Sequence, residues 1–432
     1  MSAPPLITRI KIHNYKSLRN VEFRPGRLSV LVGPNASGKS NFADAIDFLS
    51  SVYRSGLEMA VQYKGGLDRI IFRRAKKSGA AIDFAIEGYH LAGDLSDRPS
   101  EPEQIAFFKF EHSFSIERRS QKLGTLYQVV NERYNVHFEH QNKTFGDINL
   151  NRKGDKFDAT IDDKLENLNP AFFDSRAFSR FVGYAKFLKE RVEGDVMVVP
   201  ETDLLISSIR LPPPYRTLSE LRDIRVYQPN PIMAKQESTP STIPDLGRFG
   251  EQLPTMFSKL DNEVRSKIID YLRLVLPTAS EINVSLSDSK KLVLKLKEDG
   301  VGGPWRAEDL SDGTIQTIAI LTALFNPYSS VVIIEEPENS IHPWGLRNLI
   351  DACREASKSK QVILTTHAPV VQDMLSPDEI WIVNRERGET KIRHLTDIDD
   401  KVETAWREGQ QVSIFDYLDS GIIREAVPGG VE

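Results

Sequence analysis

One cysteine, Cys353, stands in a chain of 432 residues. That excludes an internal disulfide and a cysteine-rich zinc site, and it fits a reducing cytosol. No stretch of about 18 apolar residues is present, so no membrane-spanning helix and no membrane partner are expected. The opening Met-Ser-Ala-Pro-Pro lacks the hydrophobic stretch of a signal peptide. Internal repeats, heptad arrays and low-complexity tracts are also missing. An excess of positive charge is lacking too. The net charge of −5 argues against a whole-protein electrostatic grip on nucleic acid, although a local basic face is compatible with it. Arg73-Arg74-Ala75-Lys76-Lys77 and Arg118-Arg119 read as solvated surface. What remains is ordinary globular composition, 40% hydrophobic and 27% charged, long enough for two or three units.

Against that plain background one segment stands out. Gly33-Pro34-Asn35-Ala36-Ser37-Gly38-Lys39-Ser40 follows the apolar run Leu28–Val32 directly. A strand feeding G-x-x-x-x-G-K-S is the loop that wraps nucleotide phosphates in backbone N–H groups. The helix after it points its positive dipole end at the anion. Phe42, Ala45, Ile46, Leu49 and Tyr53 form one apolar stripe at helical spacing, which supports that helix to about Ser55. Lys39 is expected to reach the β- and γ-phosphates and Ser40 to ligate Mg²⁺, with Asn41 in the same nucleotide-binding segment.

A second set of polar residues ends apolar strands further along. Val331–Ile334 leads into Glu335-Glu336-Pro337-Glu338, two carboxylates at the carboxyl edge of a parallel sheet, where such sheets bind ligands. Glu335 is expected to support Mg²⁺ and Glu336 to polarise the attacking water. Gln361–Leu364 ends in Thr365-Thr366-His367, and His367 is a candidate γ-phosphate sensor. Leu310-Ser311-Asp312-Gly313-Thr314 opens a helix, with Ser311 as its cap and Gly313 allowing close backbone approach to an anion.

The remaining organisation is read coarsely. Strands are expected over residues 7–32, with a turn from Asn14 to Asn20, and again at Ile70–Phe72 and Ala81–Ile86. Residues 94–104 read as a loop and 105–158 as short β-like stretches broken by turns. Asn169 to Glu193 reads as mixed or helical, Val196–Pro200 as a short strand, and Pro212–Pro214 as a stiff connection. Residues 228–244 read as a loop leading to a helical segment near 245–275. Alternation over Asn283–Lys297 reads as strand. Strands and helices then alternate over 310–385, which argues a parallel sheet with helices on its faces.

These pieces, in this order, carry a resemblance. Ile10-Lys-Ile-His-Asn-Tyr-Lys-Ser-Leu18, Gly33–Ser40, Leu310–Thr314, Glu335–Pro343 and Thr365–His367 are similar to the ABC-type ATPases of the SMC/RecF group, especially the prokaryotic AAA family ATPases related to OLD-family proteins. The resemblance implies an α/β P-loop NTPase of ABC-head type: a mixed N-terminal β subdomain, a parallel core sheet flanked by helices, and a compact α+β insertion. The expected segments are 1–93 with the Walker A loop, 94–280 as insertion, 281–390 with signature, Walker B and His switch, and 391–432 as extension.

The same resemblance implies ATP with Mg²⁺, a homodimer or higher even-numbered oligomer, and catalysis by Glu336, His367 and Lys39. Ser311, Asp312 and Gly313 would act on the partner's nucleotide, with Asn339 to His342 as the D-loop at the seam. Lys16 and Ser17 are further candidates to approach the nucleotide. Asp312 and Thr314 depart from the usual signature, and Glu335 stands where Asp is usual. The Q-loop glutamine has no clear position; Gln62 is one candidate. The stretch after Val383 is too short for the nuclease domain of OLD-type relatives, and Asp397-Ile398-Asp399-Asp400 reads as a solvated loop. A nuclease, if involved, is expected as a separate effector. The implied function is an ATP-driven switch in anti-phage defence or DNA repair, with DNA or a phage component among its possible partners. The alternatives are the ATPase subunit of a membrane transporter and a non-hydrolysing ATP-dependent scaffold.

Overall fold

A computed structural model describes residues 6–72, 80–91, 106–120, 125–140, 143–154, 156–162, 202–204, 206, 219–399, 402, 406 and 413–419. Expectations for the loop at 94–104, for 169–193, Val196–Pro200, Pro212–Pro214, Asp400 and the Arg73 cluster fall outside those residues. Chain contacts define two units: 1–25 with 45–223, and 26–44 with 224–432. This division differs from the expected segment bounds. Residues 224–280 group with the second unit because Ile224–Tyr227 adds a strand to its sheet.

The first unit is a seven-stranded antiparallel sheet. Its strands are β1 (Ile7–Tyr15), β2 (Leu18–Phe23), β4 (Ala81–Leu91), β5 (Ala106–Ser120), β6 (Thr125–His140), β7 (Lys143–Lys153) and β8 (Lys156–Ile161), in the order β2-β1-β4-β5-β6-β7-β8. Period-two alternation buries Ile10, Ile12, Phe84, Phe110, Phe114 and Val136 on one face and leaves a polar face opposite. The helix α1 (Lys39–Ser55) contributes Phe48 to that apolar side, with its ring centroid 5.5 Å from Phe84 and 5.6 Å from Tyr15. Two expectations change here. The stretches after residue 105 are not short: β5 has 15 residues and β6 has 16. Asn131 and Arg133 are outward members of the alternation, whereas Glu132 and Arg152 are buried on the inward face. Leu67–Ile70 forms a helical turn rather than a strand, and Ile71 makes only a single bridge to Tyr15. The turn expected over Asn14–Asn20 is tighter, at Lys16-Ser17 between β1 and β2.

The second unit holds a six-stranded sheet of β3 (Leu28–Val32), β9 (Ile224–Tyr227), β13 (Val331–Glu335), β14 (Gln361–Thr366), β15 (Ile380–Glu386) and β16 (Glu389–His394), ordered β16-β15-β3-β14-β13-β9. All neighbours are parallel except the β15–β16 hairpin. Every residue of β3, β13 and β14 is buried, as strands covered on both faces must be. The covering helices include one over Asp312–Phe325, buried from Ile315 to Phe325, and one over Pro343–Ser357 that packs Leu346, Leu349, Ile350 and Cys353 inward. Cys353 is a core residue; burial pushes its thiol up to about 12, which keeps it unreactive. The helical segment expected near 245–275 is two helices, Leu253–Lys259 and Asn262–Arg273. Leu260 is extended between them, and the Asp261 carboxylate caps the second. The alternation near Asn283 is a hairpin of β10 (Ala279–Leu286) and β11 (Leu292–Glu298).

Parallel pairing has one consequence for function. β3, β9, β13 and β14 all end at the same edge of the sheet. Register matches Ile334 with Tyr227, Glu335 with Thr365, and Thr366 with Val32. Whatever follows each strand is therefore delivered to one place.

Candidate functional site

The loop between β3 and α1 is closed by its own backbone and by a residue far away in sequence. Ser37 N–H donates to Pro34 O at 3.3 Å, and Phe42 N–H to Gly38 O at 3.0 Å. Lys39 is 5% exposed, and its Nζ donates to Gly33 O at 2.7 Å and Pro34 O at 3.0 Å. Burial lowers the pKa of this ammonium, and the charges of Glu336 and Glu338 oppose that shift. Thr390 on β16 is fully buried and donates its hydroxyl to Ser37 O at 3.0 Å. It presses on Gly38, whose φ is +111° and where an added Cβ would lie 2.0 Å from Thr390 Oγ1. Gly38→Ala is therefore expected to cost about 1–3 kcal/mol in strain and to weaken nucleotide binding with it. Melting temperature and titration of a fluorescent ATP analogue check both.

The acidic half of the site grows out of β13. Glu335 is 2% exposed and accepts from Arg248 Nη2 at 2.8 Å. Burial raises the Glu335 pKa, while Arg248 and the nearby Ser40 hydroxyl pull it back. Glu336 adopts a left-handed conformation with φ 46°, so the chain turns sharply where the strand stops. Its N–H still donates to Thr365 O at 2.9 Å, and Asn339 Nδ2 donates to its Oε2 at 3.1 Å. Glu338 Oε1 accepts from Thr366 Oγ1 at 2.7 Å and from His367 N–H at 3.2 Å. The Nδ1 atom of His367 lies 3.6 Å from both Glu336 Oε1 and Glu338 Oε1.

The second unit thus brings together the loop 33–40, Glu335, Glu336 and His367. Ser311 caps its helix by accepting from Thr314 N–H at 3.2 Å. Asp312 pairs with Lys235 Nζ at 2.6 Å, which offsets the acid that departs from the usual signature. Gly313 sits against the D-loop segment: an added Cβ would lie 2.7 Å from Ser340 O. Lys16 and Ser17 lie in the other unit, at the β1–β2 turn. Gln62 belongs there as well, on a helix where its Nε2 donates to Glu58 Oε1 at 3.3 Å.

Three residues escaped the sequence reading. Gln228 follows β9 directly, one step beyond the Tyr227–Ile334 pair and so level with Glu335. The apolar-polar run Ile224–Tyr227 was the available signal, but four residues are too few to declare a strand. Arg248 sits between Gly247 and Gly250 in an irregular loop, tied to the strand end by the Gln228 N–H to Arg248 O bond of 2.8 Å. Thr390 lies in a charged stretch with no motif around it.

The donor set fits a magnesium–nucleotide complex. Ser40 and Glu335 are hard oxygen donors on segments that leave the same sheet edge, and Mg²⁺ characteristically takes one or two protein oxygens with the rest from phosphates and water. No cluster of three His, Cys, Asp or Glu able to hold a metal alone occurs among the described residues. Ser37 Oγ and Glu338 Oε2 are buried without a hydrogen-bond partner among those residues, as polar atoms of a ligand site can be. No helix among the described residues is long and apolar enough to cross a membrane.

A family model described as "AAA domain, putative AbiEii toxin, Type IV TA system" matches residues 28–373. The "Retron Vc95 probable ATPase" of Vibrio cholerae serotype O1 biovar El Tor is 22% identical over 401 residues, covering 88% of this chain and 73% of that protein. Among solved structures, an Smc head bound to the C-winged helix domain of ScpA aligns with a TM-score of 0.49 at 16% identity, over 90% of this chain and 97% of that one. An Smc head with an extended coiled coil from Pyrococcus furiosus, bound to the C-terminal domain of ScpA, aligns at a TM-score of 0.46 and 15% identity, over 94% and 100%.

Proposed function

The chain belongs to this AAA-domain ATPase family, and from that premise we propose that it is a nucleotide switch: it binds and hydrolyses ATP, dimerises on ATP and controls a separate effector. The carrying observation is the sheet register, in which β14 pairs Thr366 with Val32 of β3 and Thr365 with Glu335 of β13, so that the phosphate loop and Glu335 leave the same sheet edge. It brings two stretches 295 residues apart (335 − 40) to one edge with the chemistry a triphosphate requires.

Each residue then has a task. The N–H groups of 33–40 and the start of α1 hold the phosphates, and Lys39 neutralises the β- and γ-oxygens. Ser40 and Glu335 would hold Mg²⁺, which when bound offsets charge on the same oxygens. Glu336 orients the attacking water and accepts its proton. Gln228, level with Glu335, and His367, beside Glu336, are placed to report on the γ-phosphate. Ser311 and Gly313 would meet the nucleotide of a second copy, with Asn339–His342 at the seam, so closure depends on ATP. The family description and the retron relative support a role in defence against phage, with the effector a different protein.

Calorimetry tests the premise. The wild-type chain is expected to take up ATP with Mg²⁺, and Lys39→Ala to bind about 10–100-fold more weakly, the loss of one charge-assisted phosphate contact. A wild-type chain that takes up no Mg·ATP, or an alanine variant that binds equally well, overturns the reading.

A further inference from the structure

The first unit carries a cleft of its own, about 650 Å³, on the polar face of its seven-stranded sheet. Its lining consists of two adjacent rows of cross-strand partners. One row runs His13, Asp83, Ser115, Asn131, Lys153, Lys156; the next runs Lys11, Ala85, Ser113, Arg133, Asn151, Asp158. Ala85, Ser113 and Ser115 are short, so they make a floor, and longer side chains rise on either side of it.

The two sides differ in how their charges are satisfied. On the β1–β4 side, Lys11 lies 3.2 Å from Glu22, and His13 Nδ1 lies 2.8 Å from Asp83. On the β6–β8 side, Arg133 Nε donates to the neutral amide of Asn151 at 3.2 Å. Arg133, Lys153 and Lys156 have no ion-pair partner among the described residues, and Asp158 is the exposed carboxylate lining that wall. Phe157, the cross-strand partner of the buried Arg152, alternates to the opposite face, with the Arg152 guanidinium 5.4 Å from its ring centroid.

Three cations without an ion-pair partner among the described residues, on a chain of net charge −5, call for an anion. The hydroxyls of Ser113 and Ser115 and the amides of Asn131 and Asn151 suit sugar and base edges. A cleft the size of a small-molecule site does not admit a duplex. We propose that this cleft binds a short single-stranded stretch of nucleic acid, with phosphates along Arg133, Lys153 and Lys156 and base edges on Asn131 and Asn151. This deepens the switch reading by naming what the chain senses, and only its consequence for ATP turnover rests on that reading. Binding is measured without nucleotide or magnesium, so either idea can fail alone.

The test is fluorescence anisotropy of the full chain with a labelled oligothymidylate of about twelve nucleotides, titrated from about 50 to 200 mM salt. Wild type is expected to bind saturably, with affinity falling as salt rises. The triple variant Arg133→Gln, Lys153→Gln, Lys156→Gln should bind at least ~10-fold more weakly, with a log–log salt slope shallower by about 2, since each single-strand phosphate contact contributes about 0.7. Asn131→Ala should lose about fivefold with the slope unchanged, because a neutral hydrogen bond to a base releases no counterions. Lys290→Gln with Lys291→Gln, in the second unit, should match wild type. Melting temperatures of all variants confirm that they fold. The proposal is overturned if wild type does not bind saturably, if the triple variant binds as wild type does, or if a duplex or free thymidine monophosphate competes as well as the oligomer.

Discussion

Glu336→Gln is expected to lower steady-state ATP turnover by about 10²–10⁴-fold, the usual contribution of a positioned general base, while Mg·ATP affinity stays near wild type. The geometry explains both halves of that expectation. Glu336 is held at both its backbone and its side chain: N–H to Thr365 O, and Oε2 to Asn339 Nδ2. Glutamine has the same shape and keeps an acceptor for Asn339, so the left-handed turn and the pocket survive. It cannot accept the proton of the attacking water. A chain that binds ATP and fails to hydrolyse it should accumulate as the ATP-bound dimer, so light scattering with Mg·ATP should show a larger dimer fraction for the variant. Phosphate release at wild-type rate in the variant would assign the base elsewhere. If wild type itself shows no turnover, and the variant changes neither turnover nor association, the chain is a scaffold that binds without hydrolysing.

Much of the second unit was legible because its chemistry and its topology leave the same mark on sequence. A strand buried on both faces must be uniformly apolar, and a ligand residue must follow it, so Val331–Ile334 before Glu335 and Gln361–Leu364 before Thr365-Thr366-His367 announce strand and site together. Phosphate-loop glycines are equally direct, since φ +111° at Gly38 admits little else. The parts that went unread act through pairing instead. β9 is a four-residue strand that exists because β13 offers it a parallel edge, and nothing in Ile-Arg-Val-Tyr announces this. Thr390 matters through its contact with Gly38, 352 residues away in sequence order from its position on β16 (390 − 38). In the first unit the strands could not be sized, because outward Asn, Asp and Glu residues imitate turns. The cleft they line is invisible without the register that puts Arg133 beside Asn151 and Lys153 beside Lys156.

Arg248→Met should produce the largest loss of stability, and the loss should depend on pH. Glu335 is nearly inaccessible to water, and Arg248 is its ion-pair partner at 2.8 Å. Removing one member of a buried pair leaves an uncompensated charge, at a cost of about 3–5 kcal/mol. Arg248 is partly exposed, which puts the expected loss near the low end, about 3 kcal/mol. The pH dependence follows from protonation. Burial already holds the folded Glu335 carboxyl above its ordinary 4.5, and losing Arg248 raises it further. A carboxyl whose pKa is higher in the folded chain binds its proton more tightly there. Its contribution therefore favours folding at acid pH and is lost as pH rises from the unfolded value through the folded one. The variant, with the higher folded value, goes on losing stability over a wider range than wild type. The difference between the two proteins should be small near pH 5 and full at pH 8. All four tryptophans, at 305, 344, 381 and 406, lie in the second unit, so urea unfolding followed by tryptophan fluorescence reports on the part that contains this pair. Equal differences at both pH values would mean that Arg248 stabilises through packing, for instance over the Phe249 ring at 6.0 Å, and not through the charge of Glu335.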